Sequence, residues 1–229
     1  MKNIAIIPAR GGSKRIPKKN IKDFLGKPII AYSIQAALDS GLFDEVMVST
    51  DDDEIAEVAR QYNASVPFLR SEAASNDFAS TTDVLIEVLS CYKKMGHRFD
   101  YTCCIYPTAV FVTAEKLQKA FNLLIQKEYS SVFPIIPFSY PIWRSLKIDN
   151  QILSMNFPKY ENSRSQDLPV AYHDAGQFYF SKTEVILNKE STLNGNSFGI
   201  VIDELEGQDI DNLTDWAIAE MKYKIVFHK

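Results

Sequence analysis

No run of this chain reaches the roughly 18 uncharged apolar residues of a membrane-spanning helix, and the apolar stretch Ile4 to Pro8 is too short for the core of a secretion signal. The expectation is a cytoplasmic protein with no membrane partner. Positive charge is not in excess. Against 29 Asp and Glu stand 25 Lys and Arg, a formal net charge of −4, so there is no polybasic field to attract a nucleic-acid backbone. Cysteine is scarce and odd in number, at Cys91, Cys103 and Cys104, which suits a reducing compartment better than a disulfide framework. The glycine fingerprints GxxxxGK[ST] and GxGxxG are both missing, so neither a Walker A loop nor a dinucleotide-binding turn is present. There is also no internal repeat and no flexible linker.

What is present is ordinary globular material, 229 residues with 46% hydrophobic and 24% charged side chains, enough for one large domain with a small insertion. Apolar runs at 3–8, 45–50, 65–69, 101–106 and 131–136 read as strands. Helical spacing separates them: Ile30, Ile34 and Leu38 after Pro28; Asp51 and Glu54 as cap partners before a helix ending near Tyr62; then helices over Val84 to Tyr92 and Leu117 to Ile125. Strand and helix alternate, which predicts an α/β fold with a doubly wound, mostly parallel sheet whose ligand site lies at the carboxyl ends of the strands. Between about Pro137 and Asp174 the regularity fails, and 138–174 reads as an insertion. Regular structure returns with strands at 176–180 and 198–202, and a last helix starts after Asn212, with Asp215 suited to its N-terminus.

The strongest local signal is IAIIPARGGSKRIPKKN, residues 4–20. A strand ends in a loop where Gly11 and Gly12 permit close backbone approach and Arg10, Lys14, Arg15 and Lys19 can neutralise a polyphosphate. Charge and glycine alone serve a solvated loop equally well. The full string from Pro8 to Asn20, however, resembles the signature of the sugar nucleotidyltransferases that make CMP-activated acidic sugars, and the resemblance extends over nearly the whole chain. It implies a Rossmann-like nucleotidyltransferase fold. It also implies that Ala9, Arg10, the backbone of Gly11, Gly12 and Ser13, and Lys19 hold the CTP triphosphate, with Asn20 near the nucleotide.

Four further blocks carry the resemblance. LRSEAASNDFASTTD (69–83) serves as turn and cap chemistry on its own; it is also similar to the family segment that contacts cytosine and ribose, which makes Arg70, Asn76, Asp77, Ser80 and Thr81 candidates. YPTAVFV (106–112) stands where the sialic acid enzymes of the family usually carry Gln-Pro-Thr-Ser-Pro-Leu-Arg, so Tyr106 and Val112 imply a different sugar pocket. SRSQDLPVAYHDAGQFYF (163–180) looks like the branch acting on pseudaminic acid. There Arg164 is the choice for the sugar carboxylate, since a guanidinium offers a bidentate fork, and Gln166, His173, Asp174 and Gln177 are further sugar contacts. Finally, Asp209 and Asp211 lie two apart, on one face of an extended segment. They serve equally as acidic residues near a helix start, but the family places Mg²⁺ on such a pair.

The expectation is therefore a cytidylyltransferase joining CTP to an acidic nine-carbon sugar, with Arg10, Lys19, Asp209 and Asp211 carrying catalysis. The same blocks leave open legionaminic, sialic or KDO-type sugars, and a catalytically weak nucleotide-binding protein. By resemblance, the insertion with Tyr140, Trp143, Phe157 and Tyr160 forms a homodimer.

Overall fold

The computed structural model describes residues 1–76 and 78–227. Strand β1 (Asn3–Pro8) buries Ala5 and Ile7 in the core on one face of the sheet and Ile4 and Ile6 in the core on the other. That two-sided burial explains why its sequence is a continuous apolar run instead of an alternating one. A basic loop and a small hairpin, β2 (Asp23–Phe24) with β3 (Lys27–Pro28), lead into α1 (Ile30–Asp39). β4 (Glu45–Ser49) follows and pairs parallel with β1.

Helix α2 (Asp53–Gln61) is capped by Asp52, whose side chain accepts from the N–H groups of Glu54 and Ile55. The expected cap at Asp51 is thus displaced by one residue. Asp51 instead accepts from the Gly11 N–H at 3.0 Å, tying the basic loop to the end of β4. Residues 65–69 do not form the expected strand. Only Ser65 bridges to Met47, and Pro67 beyond it has no N–H to extend a ladder.

Helices α3 (Glu72–Ser75) and α4 (Thr81–Lys94) precede β5 (Tyr101–Ile105), then α5 (Ala114–Gln126) and β6 (Ser131–Pro137). In the irregular region β7 (Leu146–Asp149) and β8 (Ile152–Met155) form a separate antiparallel hairpin. β9 (Tyr172–Asp174) then returns to the end of β6. β10 (Phe178–Lys182), α6 (Thr183–Leu187), β11 (Ser197–Val201) and α7 (Leu213–Phe227) complete the chain.

The main sheet runs β11-β6-β10-β5-β1-β4, with β9 beside β6. β1 is parallel to β4 and β5, and β11 is parallel to β6, but β10 is antiparallel to both its neighbours. The sheet is therefore mixed, which corrects the expectation of a mostly parallel one. The insertion turns the chain back after β6, so β9 and β10 both run against it. α1, α2 and α5 cover one face, while α4 and α6 cover the other, so the two-sided layering holds. From β1 the chain passes to β4 on one side and then to β5 on the other, which opens a crevice at the carboxyl ends of β1 and β5.

Candidate active site

The loop after β1 lines one wall of that crevice. Its base is fixed by the buried Ala9, whose N–H donates to Ser49 O at 2.9 Å, and by the buried Asn20, whose Nδ2 donates to Arg10 O at 3.0 Å. Asn20 thus braces the loop as well as lining the crevice. The two glycines have different surroundings. A Cβ on Gly11 would sit 2.5 Å from Asp52 Oδ2, whereas one on Gly12 would meet nothing within 4 Å. Gly11 is required by the packing of the α2 cap, and Gly12 faces open space. Ser13 turns the chain, donating its N–H to Gly11 O.

The opposite wall is the segment before α7. Lys19 Nζ donates to Ile210 O at 2.7 Å and stands 3.9 Å from Asp211 Oδ1, while an Arg15 guanidinium nitrogen reaches the same oxygen at 2.7 Å. Burial lowers the Lys19 pKa, opposed by Asp211 and Asp209. The Arg15–Asp211 pair is exposed and holds its partners by no more than about 1 kcal/mol, so a competing phosphate or cation displaces it easily. The resulting cleft has a volume of about 610 Å³, and its wall carries the cations Arg10, Lys14, Arg15 and Lys19 against the carboxylates Asp209 and Asp211. Such a balance suits a polyanion.

A second cavity of about 560 Å³ adjoins the first, and Tyr106 and Asp209 line both. Tyr106 follows β5, its N–H donating to Gln177 O and its carbonyl accepting from Ser33 Oγ. Its ring lies 5.5 Å from that of Tyr179, whose hydroxyl donates to Asp174 Oδ2 at 2.6 Å. Burial raises both tyrosine pKa values, so each hydroxyl stays protonated and able to donate. His173, Asp174 and Lys222 also line this cavity. Gln177 is buried just below, with Nε2 donating to Glu206 O at 2.5 Å.

The remaining sequence candidates lie elsewhere or hold the backbone. Thr81 lines the first cleft. Ser80 caps α4 in a reciprocal box with Asp83, and Asn76 closes a turn by accepting from the N–H groups of Phe78 and Ala79. Arg70 is buried, its Nε donating to Ser49 Oγ and one terminal nitrogen to Ser49 O. Asp77 lies outside the described residues. Arg164 is 73% exposed, paired with Asp167 at 2.7 Å, and lines neither cavity; Gln166 sits in a separate groove of the insertion. Sequence reasoning missed Tyr179, which reads as one more apolar strand residue, and Lys222, an unremarkable lysine within a helix.

A mixed α/β sheet with a cationic cleft and an adjoining cavity at its switch point is the kind of site that suits a nucleotide. The chain belongs to the cytidylyltransferase family, whose model matches residues 4–217. It is 44% identical to the pseudaminic acid cytidylyltransferase of Campylobacter jejuni over 226 residues, 98% of this chain and 97% of that one. It is 34% identical to the CMP-N,N'-diacetyllegionaminic acid synthase of Legionella pneumophila over 96% of this chain and 95% of that one. Among solved structures, CMP:2-keto-3-deoxy-manno-octonic acid synthetase complexed with CTP shares the fold along the full length of both chains, with a TM-score of 0.73 at 17% identity.

Proposed function

We propose that this chain transfers CMP from CTP to the anomeric hydroxyl of pseudaminic acid, releasing pyrophosphate. The observation that carries this reading is the junction of the two cavities at Tyr106 and Asp209. One cavity is built for a polyphosphate and the other for a polar molecule of sugar size, and 44% identity along the whole chain to an enzyme so named supports the choice of sugar. In the reaction the anomeric oxygen attacks the α-phosphorus of CTP, the hydroxyl proton is released, and the bond to pyrophosphate breaks. Such transfer needs mainly positioning and charge neutralisation. Arg10 and Lys19 supply fixed positive charge, with Lys19 held at Ile210 O. Ser13 lines the same cleft, its N–H committed to Gly11 O.

Asp209 and Asp211 fit a hard divalent cation such as Mg²⁺, because both are carboxylates on the cleft wall. No group of three or more ligating side chains exists among the described residues. Two protein ligands, with phosphate and water completing the shell, is the usual arrangement for Mg²⁺ beside a nucleotide. The ion would add charge neutralisation at the phosphates. We further place the dimer contact on the 138–174 insertion, within one nucleotidyltransferase domain.

The test is pyrophosphate release with CTP against a panel of pseudaminic, legionaminic, sialic and KDO sugars. Pseudaminic acid is expected to give the highest kcat/KM, and Asp211→Ala to abolish most of the turnover while keeping the fold. Preference for another sugar removes the substrate assignment, and near-normal turnover in a folded Asp211→Ala variant removes the metal site.

A further inference from the structure

An acidic sugar in the second cavity needs a cation, and the sequence candidate for that role, Arg164, lines no wall of it. The wall carries the carboxylates of Asp174, Glu204 and Asp209, which by themselves repel a carboxylate ligand. Asp174 is partly compensated by the Tyr179 hydroxyl and the Gly176 N–H, and Asp209 stands at the junction with the nucleotide cleft. Among the described residues, Lys222 is the one lysine or arginine on this wall.

Lys222 is oriented before any ligand arrives. Its helix, α7, is anchored by the buried Trp216, whose ring packs 5.5 Å from that of Phe24. Its Nζ donates to Gly207 O at 2.8 Å and to Glu204 O at 3.1 Å. An ammonium has three N–H donors and no acceptor, so two fixed donors leave one for a ligand in the cavity it lines. Fixing a flexible lysine in advance lowers the entropy lost on binding.

We propose that Lys222 binds the carboxylate of the sugar substrate within its own chain and so sets the requirement for an acidic sugar. This rests on the cytidylyl-transfer reading above. The same two hydrogen bonds also hold the 204–207 turn next to Asp209, so a loss of turnover alone does not separate ligand binding from loop support. The experiment compares pseudaminic acid with its primary carboxamide, which keeps the shape and removes the charge, in the wild type, Lys222→Met and Lys222→Arg.

In Lys222→Met the KM for pseudaminic acid is expected to rise about 10- to 100-fold, the loss of one charge-assisted hydrogen bond, with the KM for CTP within about twofold. The wild-type preference for acid over amide is expected to fall towards unity, and Lys222→Arg to restore part of it. An unchanged acid-to-amide ratio in Lys222→Met overturns the proposal, as does a parallel rise in the CTP KM that leaves the ratio intact. If Lys222→Met is unfolded by circular dichroism, the folded Lys222→Arg decides by whether it keeps the preference while changing the sugar KM. Wild-type protein that releases no pyrophosphate with any acidic sugar refutes the cytidylyl-transfer reading itself, an outcome separate from any change in the ratio.

Discussion

At the residue scale, the paired glycines of the basic loop answer to different demands. Gly11 faces Asp52 so closely that a methyl group must displace the α2 cap, whereas Gly12 faces open space. Gly11→Ala is therefore expected to lose about 1–2 kcal/mol, the worth of an N-cap, in urea unfolding. Gly12→Ala is expected to unfold within about 0.5 kcal/mol of the wild type yet to raise the KM for CTP, because the family resemblance implies that the triphosphate approaches the backbone of this loop. Equal KM values for wild type and Gly12→Ala would show that the nucleotide does not approach there. The loop was legible because its chemistry is local: glycine, arginine and lysine crowd twelve residues after one strand. Lys222 and Tyr179 were not legible, because an isolated lysine in a helix or tyrosine in a strand gains meaning only when the fold brings it beside Tyr106 and Asp174.

At the element scale, Ser80 was proposed both as a nucleotide contact and as a helix cap, and its geometry satisfies the second. Its Oγ accepts from the Asp83 N–H while the Asp83 carboxylate accepts from the Ser80 N–H. Ser80→Ala is expected to cost about 1 kcal/mol of stability. Asp83→Ala should cost nearly as much and the double variant little more, since both remove one reciprocal unit. Full additivity in denaturant titrations would dissolve the box. A rise in CTP KM for Ser80→Ala beyond that for Asp83→Ala would restore the serine as a ligand. The central strands and the helices were readable from apolar periodicity, though 65–69 forms only a bridge and the insertion strands were not, and caps from Asp, Ser and Asn, with Asp51 and Asp52 exchanged because both stand at the same junction. Strand direction was not readable. A strand with Phe178, Phe180 and Ser181 buried, as β10 has, carries the same pattern whichever way it points.

At the scale of the whole molecule, the insertion differs in character from what its aromatic content suggested. Trp143 packs on Phe157 and Tyr160 with centroids 5.4 and 5.7 Å away, and its Nε1 donates to Pro169 O, so these rings consolidate the insertion from within. Tyr140 stays exposed outside that cluster, and the rest of the exposed apolar surface is largely aliphatic. Register puts Leu146 opposite Met155 and Ile148 opposite Leu153, four apolar side chains on one face of the β7–β8 hairpin, and Ile148 is 76% exposed. A lone two-stranded hairpin is marginal in water and such a face calls for cover; a second copy of the chain supplies an identical face under two-fold symmetry. Light scattering is then expected to give twice the 26.0 kDa chain mass for the wild type, and the chain mass for a folded Ile148→Lys, Leu153→Lys variant. A monomeric wild type would end the dimer assignment. The monomeric variant also decides between the two cations suggested for the sugar carboxylate. Lys222 acts within its own chain, so discrimination between acid and amide should survive dissociation, whereas loss of it with Lys222 intact would return the role to Arg164 reaching across from the other copy.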